Sequence, residues 1–242
     1  MLPFTAMGGR NTTVRRCDRP RLPLERIHVE VTSHCNFACE FCPNPTLERP
    51  GGLMDLALLL AILDEIAASG VAREVHFHQQ GEPLLHPRLA DGVAHATTLG
   101  LATSVTTNAA LLDDRRVDAL LEAGLSHLVI SLQTPDPESF AIRGARGLDY
   151  PTFEARVVRA VRRVLAAEAP TSVSVALLTK PWPRLTLPYV GHTWQLVQHN
   201  RDLHLLLERW AGRLAEGLAD GPSPAAIHTA VRRTGVLHRN QV

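Results

Sequence analysis

The sequence predicts an α/β protein, a parallel sheet with helices packed outside it and curled into a partial (βα) barrel. Three observations carry this expectation. Short β-like runs alternate with longer helical ones from about residue 26 to 178. The intervening segments are long enough to be helical crossovers, which parallel strands need, rather than tight hairpin turns. Finally, the strands keep one polar face each, whereas a parallel sheet buried on both sides reads as continuous apolar residues. A polar face maintained across several strands suits a lumen that holds a polar ligand, and right-handed crossovers curl such a sheet around it.

The first run, Ile27–Thr32, sets Ile27, Val29 and Val31 on one face and His28, Glu30 and Thr32 on the other. A helix over Asp55–Ser69 follows, with Leu56, Leu59, Leu60, Leu63 and Ile66 at helical spacing and Gly70 at its end. The second strand, Glu74–Gln79, opposes Val75 and Phe77 to His76 and His78, and a helix over His86–Leu99 comes next. Leu101–Thr106 is the third strand, and a helix over Asp113–Ala123, capped by Asp113 or Asp114 and ended by Gly124, leads to the fourth. That strand, His127–Leu132, alternates Leu128, Ile130 and Leu132 with His127, Val129, Ser131 and Gln133. A helix over Thr152–Ala167 and a fifth strand, Thr171–Leu178, close the series at five strand-helix units. Beyond Lys180-Pro181-Trp182-Pro183, one more helix is expected near 200–218, with Leu203, Leu206, Leu207, Trp210 and Leu214 on its apolar side, before Gly221-Pro222-Ser223-Pro224.

Three parts follow: a basic N-terminal arm over 1–25, a core domain over 26–180, and a divergent, mainly helical C-terminal segment over 181–242. The net charge of +1 gives no broad case for nucleic-acid or anionic-membrane partners, and no apolar run approaches a membrane span. Lys180 is the only lysine, so nearly all the positive charge is arginine. The arginines from Arg10 to Arg21 read as a solvated arm, and Cys17 within it as a free thiol. The N-terminus lacks the charged region and apolar core of a secretory signal, and a reduced cytoplasm is the expected compartment.

Chemistry concentrates in Cys35-Asn36-Phe37-Ala38-Cys39-Glu40-Phe41-Cys42, a C-x3-C-x2-C loop directly after the first strand. Three thiolates this close suit an iron–sulfur cubane with one iron left open to a small molecule, since such a cluster ordinarily takes four protein ligands. The same triad also suits a zinc knuckle with His34, His28, His76 or His78 as fourth ligand, or three buried apolar cysteines with no metal. Other polar segments follow the next strands: Gln79-Gln80-Gly81-Glu82-Pro83, Thr106-Thr107-Asn108-Ala109 and Ser131-Leu132-Gln133-Thr134. In parallel α/β folds such carboxyl-end segments form one rim, where ligands collect.

Cys35 to Cys42 resembles the C-x3-C-x-Φ-C signature of the radical S-adenosylmethionine (SAM) superfamily, with Phe41 as the aromatic Φ. Gln80, Gly81 and Glu82 resemble its Gly-Gly-Glu-Pro segment, with Gln80 where the family usually has glycine. The resemblance covers residues 26–180 and implies a partial barrel of the radical SAM type. It implies that Cys35, Cys39 and Cys42 ligate a [4Fe–4S] cluster. SAM is then contacted by Phe41, Gln80, Gly81, Glu82, Asn108, Ser131 and Gln133, with Glu82 accepting from its ammonium. It further implies reductive cleavage of SAM to a 5′-deoxyadenosyl radical that takes hydrogen from a small-molecule or peptide substrate, with an electron donor such as flavodoxin or ferredoxin. The alternatives are a non-catalytic iron–sulfur or scaffold relative built on a degraded barrel, and a structural zinc protein. No cysteine follows Cys42, so auxiliary clusters held by cysteine are excluded from this chain.

Overall fold

The structure, a computed structural model, describes residues 22–167, 169–177 and 200–216. The arginine-rich arm to Arg21, Cys17, the Lys180–Pro183 connection and Gly221–Pro224 lie outside them.

Five strands form one sheet in the order β1-β2-β3-β4-β5, every neighbouring pair parallel. They are β1 (Leu24–His28), β2 (Ala72–His76), β3 (Ala102–Thr107), β4 (His127–Gln133) and β5 (Ser172–Leu177). The helices are α1 (Leu56–Ser69), α2 (Leu89–Thr98), α3 (Asp114–Glu122), the short α4 (Pro137–Phe140), α5 (Tyr150–Ala166) and α6 (Asn200–Ala215). The sheet is open, a partial barrel with β1 and β5 at its edges among the described residues. None of these helices is long and apolar enough to cross a membrane.

Local chemistry explains the boundaries. Asp55, Asp113, Asp136 and Asp149 stand just before α1, α3, α4 and α5, and each carboxylate accepts a hydrogen bond from an otherwise orphaned helix N–H. The expected helix starts at Asp55 and Asp113 are these capping residues. The second helix begins at Leu89 rather than His86, because Pro83–Leu85 forms a separate 3-10 turn before it.

The first strand starts earlier and ends sooner than its alternation predicts. Val29 N still donates to His76 O at 2.9 Å, but beyond it the chain leaves β2. Thr32 instead bridges antiparallel to Leu53, and Met54 N donates to Val31 O at 2.8 Å. The face assignments hold through this change. Val29, Val31, Val75, Phe77, Leu128, Ile130 and Leu132 are all buried in the core between sheet and helices. The other face carries a cross-sheet row of His28, His76, Ser104, His127 and Ser172, each in register with the next. That row is the polar lumen lining.

Candidate functional site

The cysteine loop grows from the end of the first strand and is pinned at its base. Thr32 Oγ1 donates to Gly52 O at 2.9 Å, Ser33 N to the same carbonyl at 3.1 Å, and Gly52 N to Ser33 Oγ at 2.9 Å. Within the loop Cys42 N donates to Cys39 O at 3.0 Å, and Glu40 N reaches Ile142 O at 2.9 Å. Gly144 makes the second contact possible. It holds φ +55°, and a Cβ there would lie 2.6 Å from Ala38 O. A second glycine fixes the neighbouring rim segment: a Cβ on Gly81 would stand 1.9 Å from Thr32 O. That close approach lets Glu82 N donate to His34 O at 2.8 Å.

The three thiols are half-buried and none is in a disulfide. Asn108 Nδ2 lies 3.8 Å from Cys35 Sγ and donates to Asn36 Oδ1 at 2.8 Å. Cys42 Sγ lies 3.5 Å from Gln80 Oε1. Burial pushes the Cys35 and Cys39 thiols up, and at Cys39 the Arg143 guanidinium opposes that push by charge and hydrogen bond. A thiolate beside an arginine is stabilised in the form that binds metal.

Glu82 is 2% exposed, and its carboxylate is held by the protein itself. Oε1 accepts from Thr107 Oγ1 at 2.7 Å and Leu84 N at 3.1 Å, and Oε2 accepts from Asn108 N at 2.8 Å. Burial raises its pKa, and these three donors oppose the rise. Glu82 therefore ties the Gly81 turn to the end of β3, leaving about one lone-pair direction for a further donor. Ser131 and Gln133 pair at 2.8 Å at the end of β4. Gln133 at φ +58° and Ala109 at φ +64° adopt the left-handed region without being glycine, and both stand at strand ends on this rim.

Two contributors escape sequence reasoning. Arg143, 2% exposed, donates to Ser131 O at 2.9 Å and Leu132 O at 2.7 Å, and its guanidinium lies 5.0 Å from the Phe37 ring centroid and 5.9 Å from that of Phe41. Its Nε is buried with no hydrogen-bond partner among the described residues. The one sequence signal is the Arg143-Gly144 step, unreadable without knowing that Gly144 meets the cysteine loop. Glu30 lies on the polar face that its alternation with Val29 and Val31 predicts, but its partners were not readable: it pairs with Arg49 (Nη1 to Oε2, 2.5 Å) and accepts Gln80 N at 2.8 Å and Gly81 N at 3.2 Å. It positions the Gln80–Gly81 turn from below.

The site thus brings Cys35, Cys42, Gln80, Glu82 and Asn108 together directly, with Cys39 and Phe41 linked to Ser131 through Arg143. Three thiolates on one loop suit a cubane, which distributes them over different irons and leaves the fourth iron open. A shallow groove of about 810 Å³ between α5 and α6 is lined by Tyr150, Glu154 and Arg209, among others, and touches none of these residues.

Comparison with known proteins agrees with this geometry. A sequence model described as the Radical SAM superfamily matches residues 29–181, more than half of the chain. The "PqqA peptide cyclase" of Gluconobacter oxydans (strain 621H) is 35% identical over 188 residues, covering 77% of this chain and 47% of that protein. The "GTP 3',8-cyclase" of Chlorobaculum tepidum is 38% identical over 159 residues, 64% of this chain and 45% of that one. The chain therefore spans about half the length, or less, of the curated relatives it matches. Among solved structures, HydG, a maturase of the [FeFe]-hydrogenase, superposes with a TM-score of 0.56 at 15% identity over 81% of this chain and 41% of its own. TsrM from Kitasatospora setae, a radical S-adenosylmethionine methyltransferase, gives 0.53 at 18% identity over 66% and 31%. At those identities the likeness is one of fold.

Proposed function

This chain belongs to the Radical SAM superfamily, and from that premise we propose that it is a radical SAM enzyme acting on a peptide or small-molecule substrate. Cys35, Cys39 and Cys42 hold a [4Fe–4S] cluster, and Gln80, Gly81, Glu82, Asn108, Ser131, Gln133 and Phe41 surround SAM. The observation that carries the reading is the convergence of the three thiols with Gln80, Asn108 and Arg143 on one rim. When bound, cluster and SAM together supply one-electron cleavage of the sulfonium and a hydrogen-abstracting radical.

The chain's own residues bind and orient. Arg143 favours the Cys39 thiolate. Asn108 directs its amide at Cys35 and Asn36. Glu82 and Glu30 fix the Gln80–Gly81 turn from opposite sides. Phe37, packed on Phe140 and Phe153, walls the loop from the core. The peptide class is favoured by the PqqA peptide cyclase relative, which covers more of this chain than the GTP 3',8-cyclase does. Residues 26–180 form the catalytic core, flanked by 1–25, whose Leu24 and Glu25 already belong to β1, and by 181–242, whose α6 packs on that core, and an electron donor such as flavodoxin or ferredoxin supplies the reducing equivalent.

The test is anaerobic reconstitution of the chain with iron and sulfide, followed by reduction and addition of SAM. 5′-Deoxyadenosine and methionine are expected from the wild type and absent with Cys39→Ala. A filled cluster that yields no 5′-deoxyadenosine under several reductants selects the non-catalytic relative. Stoichiometric zinc at the three cysteines, with no cluster, rejects the reading.

A further inference from the structure

His28, His76 and His78 lie outside the cysteine rim and are unused by the reading above. The strand register gathers them. His28 and His76 are direct partners across β1 and β2, and His78 follows His76 two residues on, so all three project from one face. Their ring centroids are 4.9, 5.3 and 6.1 Å apart, and one ring nitrogen from each lies within 4.8 Å of the other two. Three imidazoles on one tetrahedral ion need nitrogens about 3.3 Å apart, given metal–nitrogen bonds of about 2.0–2.1 Å. Modest side-chain rotation closes that difference.

A second, independent observation is the set of bonds behind the rings. His28 Nδ1 lies 2.9 Å from His78 O, and a carbonyl only accepts, so Nδ1 carries the proton and Nε2 keeps its lone pair. His76 Nε2 lies 2.7 Å from Glu74 Oε1, so Nε2 donates and Nδ1 keeps its lone pair. A carbonyl or carboxylate accepting from the far ring nitrogen is the usual support behind a metal-bound histidine. Ser104, in register with His76, adds no charge to this face.

We propose that His28, His76 and His78 form a second metal site on the lumen face, for a borderline divalent ion of the Zn²⁺ or Co²⁺ class, with one coordination position open. Imidazole ligands select such ions over Mg²⁺ or Ca²⁺, and three protein ligands leave a fourth position to water or a ligand. His78 stands two residues before Gln80, on the segment that runs from β2 to the rim, so the site lies next to the rim on the lumen face. The proposal does not depend on the cluster reading.

The experiment uses the full chain with Cys35, Cys39 and Cys42 all replaced by serine, so that no thiolate of the loop competes. Equilibrium dialysis against Co²⁺ is expected to show one ion per chain, with visible bands lacking thiolate charge transfer and displaceable by Zn²⁺. His76→Gln and His78→Gln are each expected to weaken binding by at least ~100-fold, and Glu74→Gln by about 10- to 100-fold. In parallel, wild-type chain labelled with ¹⁵N in histidine is titrated with Zn²⁺; ring shifts of three histidines by one to two equivalents support the site whatever the cysteines bind. Absence of a stoichiometric ion in the folded serine variant overturns the proposal. Binding unchanged in folded His76→Gln and His78→Gln, or ring resonances that do not move, overturns it equally.

Discussion

A single carboxylate shows how one residue governs this rim. Glu30 accepts from Arg49, Gln80 N and Gly81 N, and the Arg49 guanidinium holds it below the ordinary carboxylate range. A carboxyl depressed in the folded state contributes stability that is present above its unfolded pKa, about 4.3, and is lost as pH falls through the lower folded value. Glu30→Gln is therefore expected to destabilise the chain by about 1–2 kcal/mol at neutral pH. The gap to wild type should close as the pH drops below about 4. Urea unfolding of both proteins across pH 3–7 checks this, and a gap independent of pH would reject the ionic role. The sequence places Glu30 on the correct face, but its partners lie 19 and 50 residues away. No local pattern reports such pairings. Arg143 is hidden for the same reason: nothing in its neighbourhood distinguishes a guanidinium buried beside Cys39 from the surface arginines along α5.

At the scale of elements, what local chemistry encodes was legible and what tertiary contact decides was not. The caps at Asp55 and Asp113 and the alternation of β4 are local, and the expected helix and strand appear there. The end of β1 is not local, since the chain abandons β2 for Leu53 only because the 49–54 segment returns beside it. The rim turn at Gly81 carries the same lesson. Gly-Glu-Pro looks like an ordinary turn in sequence, yet a Cβ at Gly81 would collide with Thr32 O. Gly81→Ala must push this turn away from the cysteine loop, at an expected loss of about 1–3 kcal/mol. The specific consequence is a broken Glu82 N to His34 O bond and a Gln80 side chain withdrawn from Cys42. Hydrogen exchange at the Glu82 amide is expected to accelerate more than at β3 amides, and iron loading under identical reconstitution to fall. Unchanged exchange at Glu82 would mean that the turn absorbs the methyl group without moving.

For the molecule as a whole, the question is where the cooperative unit ends. The superfamily match stops at residue 181, yet α6 begins at Asn200 and packs into the same core as the sheet helices. Leu206, Trp210, Ala211 and Leu214 are buried in that core. Polar contacts clamp the C-terminal half of the helix: Arg209 donates to Pro135 O at 2.5 Å, Arg213 pairs with Glu154 at 3.2 Å, and Arg162 donates to Leu214 O at 3.1 Å. Periodicity alone revealed the apolar face of α6 at Leu206, Trp210 and Leu214, the Leu203 and Leu207 side chains lying outside those described, but not that α5 receives it. If α6 belongs to the folding unit of the sheet, Trp210→Ala lowers stability by about 3–5 kcal/mol in one transition that also unfolds the strands. Trp210→Phe separates packing from polarity. The indole N–H is buried without a hydrogen-bond partner among the described residues, so removing it while keeping a ring is expected to change stability by less than about 1.5 kcal/mol. Urea melts followed by far-ultraviolet circular dichroism and by cysteine reactivity in the rim loop would decide. Coincident curves, both displaced in the alanine variant, place α6 inside the unit that holds the three cysteines in position. A rim transition unmoved by Trp210→Ala would make α6 an appendage, and the sheet with α1–α5 sufficient for the site.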